Sequence, residues 1–391
     1  MTQKQWLMLI NRQLHLPRAS DMDVQTENVA KDSKWKTPVT EALGCRYPII
    51  QTAMGWVSDA NLVIATTKAG GFGFLAGATI AREDIEAQIQ KVIAATGSSN
   101  FGLNFHMFQE NAMQCVELAM QYKLRAVSYG RGPDQETIAR LKAAGVLCIP
   151  TVGALKHAIK AVQLGADMIT IQGSEGGGHT GSVPTSILLP QVLEAVSVPV
   201  ISAGGFSCGR GLASALAAGA AGMAMGTRFM MTSDAPTPEN IKQCYIDTKE
   251  PQDIRISTAV DGMRHRMLNT PFVDKLERAS GMKRLWIAIS SARQWQKETG
   301  MSSMHMVKVF FKGLREDPSA TATLIMSANQ PILLQKSMVE GKPEAGIMPS
   351  GQVAAAIESL PSVEVLIQQI ITQADSCIEQ LLARRTNGIS K

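Results

Sequence analysis

From Thr37 onward the chain alternates short apolar runs with longer segments whose apolar residues recur at helical spacing. The runs cover residues 47–52, 72–76, 101–105, 125–129, 146–151, 167–172, 198–203 and 221–226, each the length of a buried strand. Between them, segments such as 82–95, 135–144, 154–164 and 209–218 are rich in Ala, Lys, Gln and Leu and suit amphipathic helices. Gly145, Gly165 and Gly219 stand just before the next run, where a left-handed residue closes a helix. Eight such units in succession predict a closed (β/α)8 barrel over residues 37–234. The competing architecture, an open Rossmann-like sheet, calls for GxGxxG after the first strand, and Met54-Gly55-Trp56 stands there instead.

The alternation stops after Thr232-Ser233-Asp234. Residues 235–345 read as a helical, irregular lid inserted after the last strand, with Trp286, Trp295, Phe310 and Phe311 as a prospective satellite core. Ser350-Gly351-Gln352 opens an apolar, helix-like segment through Ile357, and another lies around 363–371, so residues 346–391 are expected to return to the barrel as helices. Residues 1–36 lack sustained periodicity and read as a loose extension.

Composition narrows the function classes. A chain of 391 residues that is 45% hydrophobic can bury one large core and a smaller one. The net charge of +5 is spread along the chain without a basic run, which argues against a nucleic-acid partner and leaves room for an anionic small molecule. Six cysteines without a CxxC spacing read as reduced thiols. No apolar segment approaches the ~20 residues that span a bilayer, and the N-terminal Trp6-Leu7-Met8-Leu9-Ile10 is too short for a signal peptide, so no membrane partner and a cytoplasmic location are expected.

In a barrel, chemistry sits where strands end. Residues 169–181 read Ile-Thr-Ile-Gln-Gly-Ser-Glu-Gly-Gly-Gly-His-Thr-Gly, a buried-strand pattern feeding a glycine-rich loop with one histidine. His179 is the only side chain in that stretch that titrates near neutrality, which makes it the candidate for proton transfer; a flexible loop with an incidental histidine is the alternative. The loops after the seventh and eighth runs carry Gly204-Gly205-Phe206 and Gly226-Thr227-Arg228, where barrels commonly hold a phosphate on backbone N–H groups. Plain tight turns are the competing reading.

On Gln172, Gly177-Gly178-His179-Thr180-Gly181, Ala203-Gly204-Gly205, Met225-Gly226-Thr227-Arg228-Phe229 and Ser350-Gly351-Gln352, the chain resembles the nitronate monooxygenase family over residues 37–391. That family consists of FMN-binding (β/α)8 barrels with a helical second domain, related to flavin-type bacterial enoyl-acyl-carrier reductases. The resemblance implies FMN contacts at Asn104, Gln172, Gly177, Gly205, Ala224, Met225, Gly226 and Thr227, with Met54, Gly55, Gly178 and Gly204 beside them, and it matches His179 to the histidine facing the flavin. One departure is Gln51-Thr52-Ala53-Met54, where the family usually reads Gln-Ala-Pro-Met. With Glu175 in the glycine loop, residues 260–266 reading Val-Asp-Gly-Met-Arg-His-Arg, and Glu344-Ala345-Gly346, it resembles a subgroup of steroid-degrading bacteria implicated in oxidoreduction of bicyclic C/D-ring remnants carried as CoA thioesters.

The resemblance therefore implies reduction or desaturation of an enone-type CoA thioester, with NADH or NADPH as a candidate electron donor. Two alternatives stand beside it: a monooxygenase acting on alkyl nitronates with oxygen, and a catalytically silent flavin-binding sensor. A CoA ester needs cationic partners for its phosphates, and Arg264, His265 and Arg266 are candidates; an exposed basic face is the bland reading of the same three. His106, just past the third run, reads as an exposed polar loop residue with lining of the site as the alternative, His157 as a solvent-facing helix residue, Cys148 as a small core hydrophobe, Asp261 as the cap of a turn before Gly262, and most of the 21 methionines as core filler. The sequence leaves the oligomeric state open.

Overall fold

Eight parallel strands close into a barrel in the order β1-β2-β3-β4-β5-β6-β8-β9. They are β1 (Ile49–Gln51), β2 (Phe72–Leu75), β3 (Gly102–Phe105), β4 (Ala126–Tyr129), β5 (Leu147–Val152), β6 (Ile169–Gln172), β8 (Val200–Ala203) and β9 (Gly222–Met225). Seven lie within one of the eight apolar runs and β5 passes the end of its run by one residue, Val152; Ile50 beside Ala224 closes the ring. The computed structural model describes residues 35–107, 109–130, 132–280, 286–287, 289–291, 293–294, 326 and 329–387.

Short strands suffice because nearly every strand residue is buried, some inside the barrel and some beneath the helices around it. The interior cluster holds Ile50, Phe72, Phe74, Ala126, Ile149, Ile201 and Ala224. Val39 and Leu43 of α1 (Pro38–Leu43) join it and pack near Gly222, at the start of β9, so α1 plugs the end from which the strands begin. Around the outside run α2 (Ala60–Lys68), α3 (Ile85–Thr96), α4 (Ala112–Gln121), α5 (Gln135–Ala143), α6 (Leu155–Gln163), α7 (Thr185–Ala195) and α8 (Gly209–Ala217). Gly145, Gly165 and Gly219 all have positive φ and lead into the next strand, as their spacing predicts.

Beyond β9 the chain forms α9 (Thr227–Met230), α10 (Glu239–Ile246), α11 (Pro271–Glu277), α12 (Asn329–Met338) and a long α13 (Val363–Asn387) that packs on α8. The segment 235–345, expected to be helical and irregular, also holds two short strands. Strands β10 (Ile254–Ser257) and β11 (His265–Leu268) pair antiparallel, and β11 also pairs with β7 (Gly178–His179), giving a three-stranded sheet β10-β11-β7. Ile254-Arg255-Ile256 alternates as a strand should, but four residues are too few to stand out in a polar stretch.

The post-barrel segment also shares a core with the barrel: Met223, Met225 and Phe229 pack in one cluster with Ile254, Met267, Leu333, Ile347 and Ile371. Of the prospective satellite core, Trp286 is exposed, and Trp295, Phe310 and Phe311 lie outside the described residues, as does 1–34 of the N-terminal extension. No helix among the described residues is long and apolar enough to cross a membrane.

Candidate active site

At the strand ends, β8 delivers Gly204 and Gly205 at φ 105° and 82°, and β9 delivers Gly226 and Thr227 at the start of α9. A side chain at Gly205 would be strained by that φ alone. Among the described residues the N–H groups of Gly205, Gly226 and Thr227 find no acceptor, so three backbone donors stand available for a ligand. The first-strand loop closes on them: a Cβ on Gly226 would stand 3.2 Å from Thr52 Oγ1 and 3.5 Å from Met54 Sδ. Thr227 Oγ1 accepts a hydrogen bond from Gly351 N at 3.0 Å, and Arg228 donates to the Ser359 carbonyl at 3.2 Å from each terminal nitrogen. These bonds tie the rim to the returning C-terminal segment.

The neighbouring N-terminus of α7 is already filled by Glu175. Its carboxylate accepts from Thr185 N at 3.1 and 3.0 Å and from Thr185 Oγ1 at 3.0 Å, a cap supplied from the loop because Pro184 has none to give. No local sequence pattern announces this role of Glu175, ten residues before the helix end it caps.

The glycine loop between β6 and β7 is fixed on three sides. Gln172 Nε2 donates to the carbonyls of Gly177 at 3.3 Å and His179 at 3.0 Å, and Arg266 Nε donates to the Ser174 carbonyl at 3.0 Å. The third side is the Ser350–Gly351 backbone: a Cβ on Gly177 would lie 2.6 Å from Gly351 N. Gly177 is thus required by the approach of its own chain. Thr180 N donates to the Arg264 carbonyl, and the β7–β11 register sets His179 opposite His265 and Gly178 opposite Arg266.

This register brings together a cluster. His179 Nε2 lies 2.5 Å from Asp261 Oδ2, the His179 side chain 37% exposed and the Asp261 side chain 1%. Asp261 Oδ1 accepts the Met263 N–H at 3.0 Å, the turn-capping role expected of it. Burial alone would raise the Asp261 carboxyl, but the hydrogen bond and charge of His179, the Met263 N–H and His265 together hold it below the ordinary carboxylate value. The His265 ring is buried 4.8 Å from that of His179, and neither of its nitrogens has a hydrogen-bond partner among the described residues. Burial first, then repulsion from His179, holds His265 down to about 3 against the pull of Asp261, so it is neutral at physiological pH.

The ligand atoms of His179, Asp261 and His265 lie within 4.8 Å of one another, the composition of a metal site. The His179–Asp261 separation of 2.5 Å is that of a hydrogen bond; two ligands at ~2.1 Å from one ion stand roughly 3 Å apart or more.

The other sequence candidates are distributed as follows. Asn104 donates to Ser128 through its carbonyl at 3.0 Å and its hydroxyl at 3.1 Å, at the end of β3. Ala224 and Met225 are buried in β9, and Gly55 is exposed on the first loop. Beside it Trp56 has φ 60°, an unusual conformation for a bulky residue that no sequence signal announced. Arg264, His265 and Arg266 do not form one substrate-facing patch: Arg264 is exposed, while His265 and Arg266 are buried beneath the glycine loop. His157 is exposed and His106 half-buried; Cys148 is buried in β5, and burial pushes its thiol up to about 12.

The family model described as nitronate monooxygenase matches residues 36–117 and 110–373. A protein of Rhodococcus jostii (strain RHA1) named (3aS,4S,5R,7aS)-5-hydroxy-7a-methyl-1-oxo-octahydro-1H-indene-4-carboxyl-CoA dehydrogenase is 44% identical over 356 residues, 90% of this chain and 99% of that protein. Its namesake in Mycobacterium tuberculosis (strain ATCC 25618 / H37Rv) is 44% identical over 342 residues, 87% and 96% of the two chains. Among solved structures, FabK from Thermotoga maritima superposes with a TM-score of 0.73 at 27% identity, covering 90% of this chain and 100% of that one. With the barrel, the rim glycines and the family match agreeing, this chain is an oxidoreductase that belongs to the nitronate monooxygenase family.

Proposed function

We propose that the protein is an FMN-dependent dehydrogenase of a bicyclic carboxyl-CoA thioester, with His179 as the residue that moves the substrate proton. The observation that carries this reading is the partly exposed His179, hydrogen-bonded to buried Asp261 on the loop after β6, at the end of a barrel that also presents the unpartnered N–H groups of Gly205, Gly226 and Thr227. Those three donors and Gly204 fit a terminal phosphate such as that of FMN, and Met54, Gly55, Asn104, Gln172, Gly177, Gly178, Ala224 and Met225 line the same end of the barrel as the remaining proposed contacts. When bound, FMN supplies two-electron redox chemistry that side chains lack.

The protein's own residues hold the phosphate, orient the thioester and manage one proton. His179 exchanges that proton with the carbon α to the thioester carbonyl, where the carbonyl stabilises the carbanion as an enolate. Arg264, the exposed cation beside this site, is the proposed partner of a CoA phosphate. The two relatives at 44% identity are named as dehydrogenases of such a thioester, which supports the oxidative direction and the substrate class. Oxidation of an alkyl nitronate is the second reading, supported by the name of the matching family model.

The two readings separate in one experiment. The purified yellow protein is mixed anaerobically with the hydroxylated bicyclic carboxyl-CoA ester, with an alkyl nitronate, or with NADH or NADPH, and flavin bleaching is followed. Rapid bleaching by the thioester is expected. Bleaching by the nitronate alone would sink the proposal.

A further inference from the structure

We propose that Asp261 is the positioning residue of this site, fixing the tautomer of His179 so that Nδ1 is its basic nitrogen. This inference rests on the reading of His179 as the proton-transfer residue. An ionised carboxylate only accepts hydrogen bonds. With Oδ2 at 2.5 Å from Nε2, neutral His179 must carry its proton on Nε2 and donate it to Asp261, leaving the lone pair on Nδ1.

The aspartate is itself held in place. Its other oxygen accepts the Met263 N–H at 3.0 Å across the turn at Gly262, whose φ is 83°. The turn belongs to the link between β10 and β11, and β11 sets His265 directly opposite His179. One strand pairing thus fixes both ends of the hydrogen bond, 82 residues apart in the chain.

His265 has a complementary part. Its ring packs 4.8 Å from that of His179, and its nitrogens are buried without partners among the described residues. It restrains the catalytic ring by contact.

The proton step balances within these groups. A new N–H bond forms at Nδ1 as the C–H bond α to the thioester breaks; the electron pair stays on the substrate as the enolate. The ring becomes an imidazolium whose positive charge faces the Asp261 carboxylate, and the reverse reaction returns the same proton.

Asp261→Asn tests the assignment because both carboxylate oxygens are engaged. An asparagine that keeps its oxygen on the Met263 N–H must turn its NH2 toward His179 Nε2, which makes Nε2 an acceptor and moves the ring proton to Nδ1. Expected is a fall in kcat of ~10²–10⁴-fold with KM and flavin content little changed. The direct readout is the tautomer: with ¹⁵N-labelled histidine, and His179→Ala to assign the signal among six histidines, NMR should find His179 protonated at Nε2 in the native protein and at Nδ1 in Asp261→Asn. The native measurement does not depend on how well the variant folds.

An Nδ1-protonated native ring, or an Asp261→Asn enzyme with undiminished kcat while His179→Ala is inactive, would overturn the role of Asp261. Full activity of His179→Ala would overturn the underlying reading of His179, and the native tautomer would still decide the geometry claimed for Asp261.

Discussion

Gly205 and Gly226 follow neighbouring barrel strands whose ladder joins Ala203 to Ala224, so the proposed phosphate cradle comes from two consecutive strand-helix units. His179 is placed differently: its partners arrive after the barrel has closed, Asp261 on the link between β10 and β11 and His265 on β11, and reach it by adding a sheet to two residues of the β6 loop. The rim would hold its proposed ligand with backbone groups, so what it requires of the sequence is glycine where φ is positive. The added sheet holds one side chain in one tautomer. Cofactor retention and proton transfer should therefore be separable by mutation.

The largest effect is expected at His179. His179→Ala should keep its flavin, because no rim donor belongs to it, and lose ~10²–10⁴-fold in turnover when the substrate must give up a proton. A pre-ionised nitronate should suffer less. Steady-state rates on both substrates with the flavin spectrum check this, and loss of flavin together with turnover would show that the two regions are not separate.

Gly205→Val should do the converse. At φ 82° a β-branched residue is strained, and its methyl groups crowd the N–H that faces the ligand, so flavin should be lost while the barrel persists. Circular dichroism with flavin released by acid tests this; full occupancy would contradict the cradle, and FAD as the released species would contradict FMN.

A smaller effect concerns pH. His265 is held at about 3, so between there and its ordinary value of ~6.5 the unfolded chain binds a proton that the native chain does not. Stability should fall as pH drops through that window, with a limiting slope of ~1.4 kcal/mol per pH unit. Asp261 is shifted below the usual carboxylate value, so its contribution is present above ~3.9 and is lost only as pH falls through its lower native value. His265→Phe keeps the ring contact and removes the titrating group. Its Tm should decline less than that of the native protein between about pH 7 and about pH 5; parallel curves would show that His265 is not the acid-sensitive group.

The barrel was legible because each strand is a local apolar run and several helix ends have a glycine that their φ demands, as at Gly145, Gly165 and Gly219. The rim glycines were legible for the same reason, since Gly204-Gly205 and Gly226-Thr227 directly follow their strands. The histidine could be picked out by its chemistry.

Local pattern could not supply the roles around it. Asp261 read as a turn cap, and it is one through Oδ1; that Oδ2 meets His179 depends on a strand pairing no local pattern encodes. Arg264, His265 and Arg266 looked like one basic face because they are adjacent, yet strand alternation and the packing of the glycine loop separate their environments. Gly177 is matched to a cofactor contact by resemblance alone; that a side chain there would also meet Gly351, far along the chain, no local pattern announces.

The sequence by itself determined the barrel, its rim glycines and the candidate histidine of the glycine loop, because strand period, helix termination and side-chain chemistry are properties of neighbouring residues. Tertiary structure alone decided which groups face His179, which charges are buried and which cation is exposed. Hydrogen bonds and desolvation act over a few ångströms in space, and only the folded chain brings residues 179, 261 and 265 within that range.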